Sequence, residues 1–192
     1  MVCCKHLDIM KISRYFLTMQ VLLAIVGCSG QTKPVHLSDI QFKSIFGYIT
    51  KDSSQVYCLL GTGFFRAPSS KNSDSLIQYW LTNHPNAQVI TVSTLNNPKD
   101  KLSYCWLVDK TDTINNFLIK NGCYPGGTMM RPETYAEMSD EMKAIYKGME
   151  KPDITVHIDK MKYDNFIEQI KAAETFAETN KLGIWNEQKR DD

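Results

Sequence analysis

The feature that most constrains this chain is an amphipathic pattern near its C-terminus, FIEQIKAAETFAETN at residues 166–180. Its apolar residues recur at helical spacing and the positions between them are polar. We expect this helix to start near Tyr163, and its apolar stripe must be buried against another layer of structure. Lys-Leu-Gly-Ile-Trp follows at 181–185, where Gly183 is predicted to form the left-handed end of the helix.

Most of the remaining patterned sequence is of the β type, which can supply that second layer. Helical spacing predicts two shorter helices at 75–84 and 113–122, and residues 135–149 are loosely helical. Strands interrupted by helices and followed by a terminal helix indicate an α+β domain, in which helices cover a small β-barrel. The segments predicted to be extended are rich in β-branched and aromatic residues, and they are 40–49, 55–65, 87–95, 102–109 and 153–158.

The N-terminal region has the composition of an export signal. Lys5, Lys11 and Arg14 precede an apolar run at residues 15–26. A basic region followed by a short apolar run is typical of a secretory signal, and the run is too short to span a bilayer stably. Met10 begins a more compact version of the same signal, so the sequence leaves two candidate starts.

A cysteine closes this run. Ile-Val-Gly-Cys at residues 25–28 resembles the bacterial lipobox, which implies that the signal peptide (1–27) is removed and that Cys28 is acylated, with palmitate as one chain. The predicted organisation is then a tether (28–38) and one domain (39–188). The resemblance implies a membrane partner through the lipid anchor and a place in the bacterial cell envelope. An uncleaved signal anchor with an incidental cysteine is the alternative.

Charge and cysteine content argue against two classes of function. The chain has 22 basic and 21 acidic side chains. Removing residues 1–27 takes away three basic groups and one acidic group, which leaves 19 against 20 and a formal charge of −1. Because nucleic-acid binding depends on neutralising phosphates, tight binding of nucleic acid is not expected. Cys58, Cys105 and Cys123 remain beyond Cys28, so at most one pair can form, and their spacing does not suggest zinc.

Three pieces of the chain, in this order, resemble the staphylococcal-nuclease-like (thermonuclease) family. They are DSLIQYWLTNHPNAQVITVS (74–93), LSYCWLVDKTDTINNFLIKNG (102–122) and the terminal helix that runs into KLGIW. The resemblance covers about residues 55–187, with a gap or insertion around 124–158. It implies an OB-type five-stranded β-barrel with packed helices, and a Trp185 side chain folded back and largely buried against the barrel.

The resemblance ends where the family's chemistry begins. Phosphodiester cleavage in this family uses Ca²⁺, two carboxylates and two arginines. At the matching positions this chain has Gly61 in place of an arginine, and Arg66 and Ser69 in place of the carboxylates. Asp100 and Lys101 precede LSY, where the other arginine is expected. The resemblance therefore implies a barrel without catalytic residues, and neither a metal nor a cofactor is predicted.

The function that we predict from this reading is a non-catalytic binding or structural module that takes a protein or an anionic ligand at the barrel. Tyr124 and Arg131 flank a glycine-rich loop, and Pro-Glu-Thr at 132–134 repeats a family signature in a different place. The candidate ligand-binding residues are Arg66, Asp100, Lys101, Tyr124 and Arg131.

A divergent Ca²⁺-dependent nuclease acting on DNA or RNA is the alternative. Its carboxylates would have to come from Asp52, Asp74, Asp100 or Glu133.

Overall fold

The computed structural model describes residues 35–63 and 67–187, which belong to a compact unit that begins at Val35. The strands are β1 (Ile40–Lys43), β2 (Phe46–Ile49), β3 (Asp52–Leu59), β4 (Gln88–Asn96), β5 (Lys101–Asp109), β6 (Asp112–Thr113) and β7 (Asp153–Val156). The helices are α1 (Ser73–Asn83), α2 (Ile114–Lys120), α3 (Asp140–Ile145), α4 (Lys160–Thr179) and α5 (Ile184–Glu187), and a 3-10 turn spans Leu37–Asp39.

Two of the predictions fall on residues outside the described ranges. The signal peptide with Cys28 is one of them, and Arg66 is the other. Within the described ranges, the structure contains no helix of the length and apolar character needed to cross a membrane.

The strands form one sheet that closes on itself. β1, β2 and β3 are antiparallel neighbours, β3 runs parallel to β5, and β4 pairs with β5 in the antiparallel sense. A β-bridge between His36 and Gln88 joins the residues before β1 to the start of β4. This bridge closes β1 to β5 into a barrel, so the predicted α+β fold with an OB-type five-stranded barrel is confirmed. Because His36 takes part, the fold starts before residue 39.

The segment 40–49 is a hairpin and not the single strand that its composition predicts. Lys43 and Phe46 face each other across a two-residue loop, in which Ser44 adopts a positive φ of 53°. The side chains of Phe42, just before the loop, and of Ile45, within it, are buried in the core. The loop lacks the glycine that usually marks such a turn, which is why the sequence pattern did not reveal it.

The long helix α4 covers one face of the sheet, as its amphipathic pattern requires. Phe166 stacks on Trp106 of β5 with ring centroids 4.3 Å apart. The helix starts three residues before Tyr163, because the carboxylate of Asp159 accepts a hydrogen bond from the Lys162 amide and caps it. Phe176 belongs to the apolar stripe that was predicted to be buried, but it is 44% exposed and has the Lys120 ammonium 5.0 Å from its ring centroid.

The residue that ends α4 is not the one that the sequence predicted. Lys181 has the left-handed backbone (φ 53°), and the amide of Leu182 donates to the Ala177 carbonyl at 2.9 Å. This is the hydrogen-bond pattern of a Schellman motif, which ends the helix before Gly183 is reached. The assignment of Gly183 as the helix end is therefore wrong.

Gly183 is needed for a close approach between two backbones. Its neighbour Ile184 donates an amide hydrogen bond to the Gly122 carbonyl at 2.9 Å, which fastens the end of α4 to the end of α2. Ile184 is buried at 3% exposure, whereas Trp185 is only half-buried. The prediction of a largely buried Trp185 is therefore wrong, because the chain after Gly183 directs Ile184 and not Trp185 into the core.

Candidate functional site

Two of the predicted ligand-binding residues lie in the exposed turn between β4 and β5. The Asn97 side-chain amide donates to the Asp100 carboxylate at 2.8 Å and so closes this turn. Lys101 opens β5 and pairs in register with Gln55, near the start of β3. Both residues are exposed to solvent. They therefore lie at the end of the barrel where β3 begins.

Tyr124 lies beyond the other end of β3. It follows α2, is 6% exposed, and packs so closely on Gly63 that a Cβ there would lie 3.0 Å from the tyrosine ring. Because Leu59 pairs with Cys105 at the end of β3, Gly63 and Tyr124 are separated from Lys101 by most of the strand. The structure therefore does not bring Tyr124 together with Asp100 and Lys101.

Arg131 is occupied by an ion pair with Glu137. Its guanidinium donates to both carboxylate oxygens at 2.6 and 2.9 Å and lies 5.0 Å from the Tyr163 ring centroid. The same carboxylate accepts from the Thr134 amide at 2.9 Å. The Thr134 hydroxyl donates to this carboxylate as well, at 2.9 Å, so the Pro-Glu-Thr segment has a structural role in ordering this loop.

The ion pair predicts a pH-dependent contribution to stability. Arg131 holds the pKa of Glu137 at about 2, below the usual 4.5. A carboxyl group whose pKa is lower in the folded than in the unfolded state stabilises the fold above pH 4.5. This stabilisation is lost as the pH falls towards 2. Glu137→Gln should therefore cost about 1 kcal/mol of unfolding free energy at pH 7, a figure reduced for solvent screening, and almost none at pH 2.

Denaturant unfolding of the wild type and the variant at several pH values measures this difference. Glu150→Gln is the control, because Glu150 is exposed and has no ion pair among the described residues. A cost of Glu137→Gln that is the same at pH 7 and pH 2 would contradict the assignment.

A cleft of about 540 Å³ opens between the β1–β2 turn and the segment that leads into α1. Tyr124 lies at its buried side, and burial raises the pKa of this tyrosine. Two peptide segments, 44–46 and 69–74, supply most of the walls, and Gly63 and Ala67 also line the cleft. This cleft is the concave site that we consider as the candidate functional site.

The hydroxyl groups of the cleft are of two kinds. Ser70 donates to the Asn72 side chain at 2.6 Å, and Ser73 donates to the Ser70 carbonyl, so these buried hydroxyls hold the loop together. In contrast, the hydroxyls of Ser44 and Ser69 have no hydrogen-bond partner in the ranges 35–63 and 67–187. These two hydroxyls remain available to a ligand.

Among the described residues that line the cleft, one is a cation and one is an anion. Lys71 is exposed, and no described carboxylate forms an ion pair with it. Asp74, in the first turn of α1, is the carboxylate of the lining. A ligand with a single anionic group can therefore approach Lys71, whereas a polyanion would also meet the negative charge of Asp74.

The positions that match the nuclease chemistry do not converge. Ser69 lines the cleft, but Gly61 lies against Ile170 and donates its amide to the Met129 carbonyl at 2.7 Å. Asp100 is at the far end of the barrel. Among residues 35–63 and 67–187, no group of three or more His, Cys, Asp or Glu side chains is placed to hold a metal ion.

The three cysteines of the domain are unpaired and buried. Burial raises the pKa of Cys58 to about 12 and the pKa of Cys123 to about 11. Cys105 is also fully buried, and burial raises its pKa as well. Since the thiolate is the reactive form, these cysteines are core residues and not nucleophiles.

Sequence reasoning missed Ser44 and Lys71. The first lies in a turn that the composition of 40–49 concealed, and the second is a single lysine in a polar loop. The one sequence signal for the turn at Ser44 is the length of the segment 40–49, which is enough for two short strands.

Comparisons with known proteins find similarity in structure but none in sequence. No protein-family model matches the chain, and no curated protein matches it by sequence. Among solved structures, the chain is similar to the extended Tudor domain of Drosophila melanogaster Tudor-SN (p100), with 13% identity and a TM-score of 0.39. The match covers 93% of this chain and 90% of that one. A likeness of this size assigns neither a family nor a function.

Proposed function

We propose that this protein is a non-catalytic binding module, built on a staphylococcal-nuclease-like barrel that has lost the nuclease chemistry. Its ligand is an anionic oxygen group, a carboxylate or a phosphate, presented by a small molecule or a protein. The observation that carries this proposal is the open cleft in which Lys71 and the hydroxyls of Ser44 and Ser69 lack partners among the described residues.

The chemistry of the lining supports a singly charged group over a nucleic acid. An ammonium and hydroxyl donors suit oxygen acceptors, and hydrogen bonds to charged groups are the stronger ones. Asp74 adds a negative charge to the same cleft, and the chain without residues 1–27 has a formal charge of −1. A long polyanion would need several cations along its backbone to bind tightly.

The same lining argues against hydrolysis. A Ca²⁺-dependent nuclease needs several oxygen ligands around the ion and cations at the developing charge. The described part of the cleft lining contains one carboxylate, Asp74. The other carboxylates of the alternative reading lie elsewhere: Asp52 at the start of β3, Asp100 in the β4–β5 turn, and Glu133 in the loop after Arg131.

We also propose that Cys28 carries a lipid anchor and that the protein is held in a bacterial cell envelope. The support for this is the sequence of residues 1–28 alone. Val35 is the seventh residue after Cys28, so an extended chain of about 3.5 Å per residue would keep the start of the barrel within about 25 Å of the lipid-bearing cysteine. The module would then bind its ligand close to the membrane.

Replacing Lys71 tests the binding proposal. Lys71→Ala should weaken binding of inorganic phosphate about five- to tenfold, since it removes the only cation of the described lining, and calorimetric titration measures the loss. Lys99→Ala is the matched control, because Lys99 is an exposed lysine in the β4–β5 turn and should leave binding unchanged.

Two results would contradict the proposed function. One is a wild-type protein that binds neither phosphate nor acetate at millimolar concentration. The other is cleavage of single-stranded DNA or RNA that depends on Ca²⁺ and stops with a chelator, which would favour the nuclease alternative.

A further inference from the structure

Ser44 occupies a backbone conformation that favours glycine. It is the first residue of the two-residue loop between β1 and β2, and its φ is 53°. In tight hairpin loops a positive φ at the first position is normally taken by glycine, because a Cβ is sterically disfavoured there. The fold therefore holds a serine where glycine would be less strained.

The hydroxyl of Ser44 has no structural use in the described fold. The side chain is half-buried and lines the cleft, and no hydrogen bond from its Oγ to any described residue exists. The hydroxyls of Ser70 and Ser73, which line the same cleft, are used to hold their loop. Ser44 thus differs from them in combining a disfavoured backbone with an unused polar group.

Ser44 and Lys71 both line the cleft but come from different segments, the β1–β2 turn and the segment before α1. A ligand group in the cleft can therefore accept from the Ser44 hydroxyl and from the Lys71 ammonium. A carboxylate or a phosphate offers at least two oxygens, so each donor can have its own acceptor atom, whereas both donors would have to share a monatomic anion.

We propose that Ser44 is the residue that gives the cleft its selectivity for oxyanions over monatomic anions. Its hydroxyl donates to one oxygen of a carboxylate or phosphate whose other oxygen is bound by Lys71. The inference rests on the proposed binding function of the cleft. Backbone strain at Ser44 is retained because glycine would remove the donor.

The chain offers a matched control for the strain. Lys110 has φ 56° and is the first residue of the two-residue loop between the paired Asp109 and Asp112. It is exposed and is not part of the cleft. Lys110→Gly therefore relieves the same kind of backbone strain without touching the candidate site.

The test measures stability and binding for Ser44→Gly, Ser44→Ala and Lys110→Gly in the purified full chain. Ser44→Gly should raise the melting temperature by about 2–4 °C, because the relief of strain exceeds the added chain entropy of glycine. It should also weaken phosphate or acetate binding about fivefold and leave weak chloride binding unchanged. Ser44→Ala should weaken binding equally without the gain in stability, and Lys110→Gly should gain stability without loss of binding.

The acetate and phosphate titrations show which of the two oxyanions the cleft prefers. Binding by the Ser44 variants that equals wild-type binding would overturn the role of Ser44 while leaving the proposed function intact. A Ser44→Gly variant that is not stabilised would overturn the claim of retained strain. Absence of oxyanion binding by the wild type would instead overturn the proposed function itself, and with it the role of Ser44.

Discussion

Replacing Gly183 by alanine should destabilise the fold by about 3 kcal/mol or more. The added Cβ would lie 2.6 Å from the carbonyl carbon of Gly122 and even closer to its oxygen. Both are backbone atoms, which cannot move aside as a flexible side chain would. The Ile184 amide also donates to that oxygen, so relief of the clash would break the link between α2 and α4.

Gly122→Ala should have a similar effect, because its Cβ would lie 2.6 Å from the carbonyl carbon of Leu182. The control is Gly127→Ala. Gly127 has φ 68°, close to the 66° of Gly122, but a Cβ there would meet nothing within 4 Å. That variant should cost about 1 kcal/mol from the backbone conformation alone. Equal losses for Gly183→Ala and Gly127→Ala in denaturant unfolding would show that the two backbones are not in close contact.

The second large effect concerns the anchor. If Cys28 is the acylated residue, Cys28→Ser should abolish incorporation of labelled fatty acid and move the protein from the membrane to the soluble fraction, or leave it unprocessed. The effect is all-or-none because no other cysteine of the chain follows the Ile-Val-Gly motif. Metabolic labelling followed by membrane fractionation measures it.

Cys4→Ser is the matched control, since Cys4 lies upstream in the predicted signal peptide and should leave labelling unchanged. Full membrane partition of the Cys28→Ser protein would contradict the lipid anchor and would support the uncleaved signal anchor instead.

Much of the fold could be predicted because its signals are local. The strands at 88–96 and 101–109 and the helix at 114–120 lie within two residues of their predicted bounds, since alternation, helical spacing and the Thr113 cap are read over short windows. The hairpin at 40–49 was missed because Ser44 replaces the expected glycine. The Schellman end at Lys181 was missed for the same physical reason, a left-handed residue that is not glycine.

The long-range contacts of polar residues could not be predicted from local signals. Asn115 is fully buried, where its side-chain amide donates to the Leu60 carbonyl at 2.7 Å and so ties α2 to the end of β3. The sequence shows only an asparagine in a short helix. Likewise, the sequence predicted that Arg131 could bind a ligand, whereas in the structure its guanidinium is paired with Glu137. Partners six or more residues away in the chain decide whether a polar residue is structural or available to a ligand.

The most direct test of the account is the location of the ligand. Titration of the isotopically labelled protein with inorganic phosphate, followed by amide chemical shifts, should perturb residues 44–46 and 69–74 together, and Lys71→Ala should reduce these shifts. The turn at Asp100 and Lys101 should remain unperturbed. Shifts centred on Asp100 and Lys101, or saturable binding that leaves both walls of the cleft unchanged, would contradict the assignment of this cleft as the binding site.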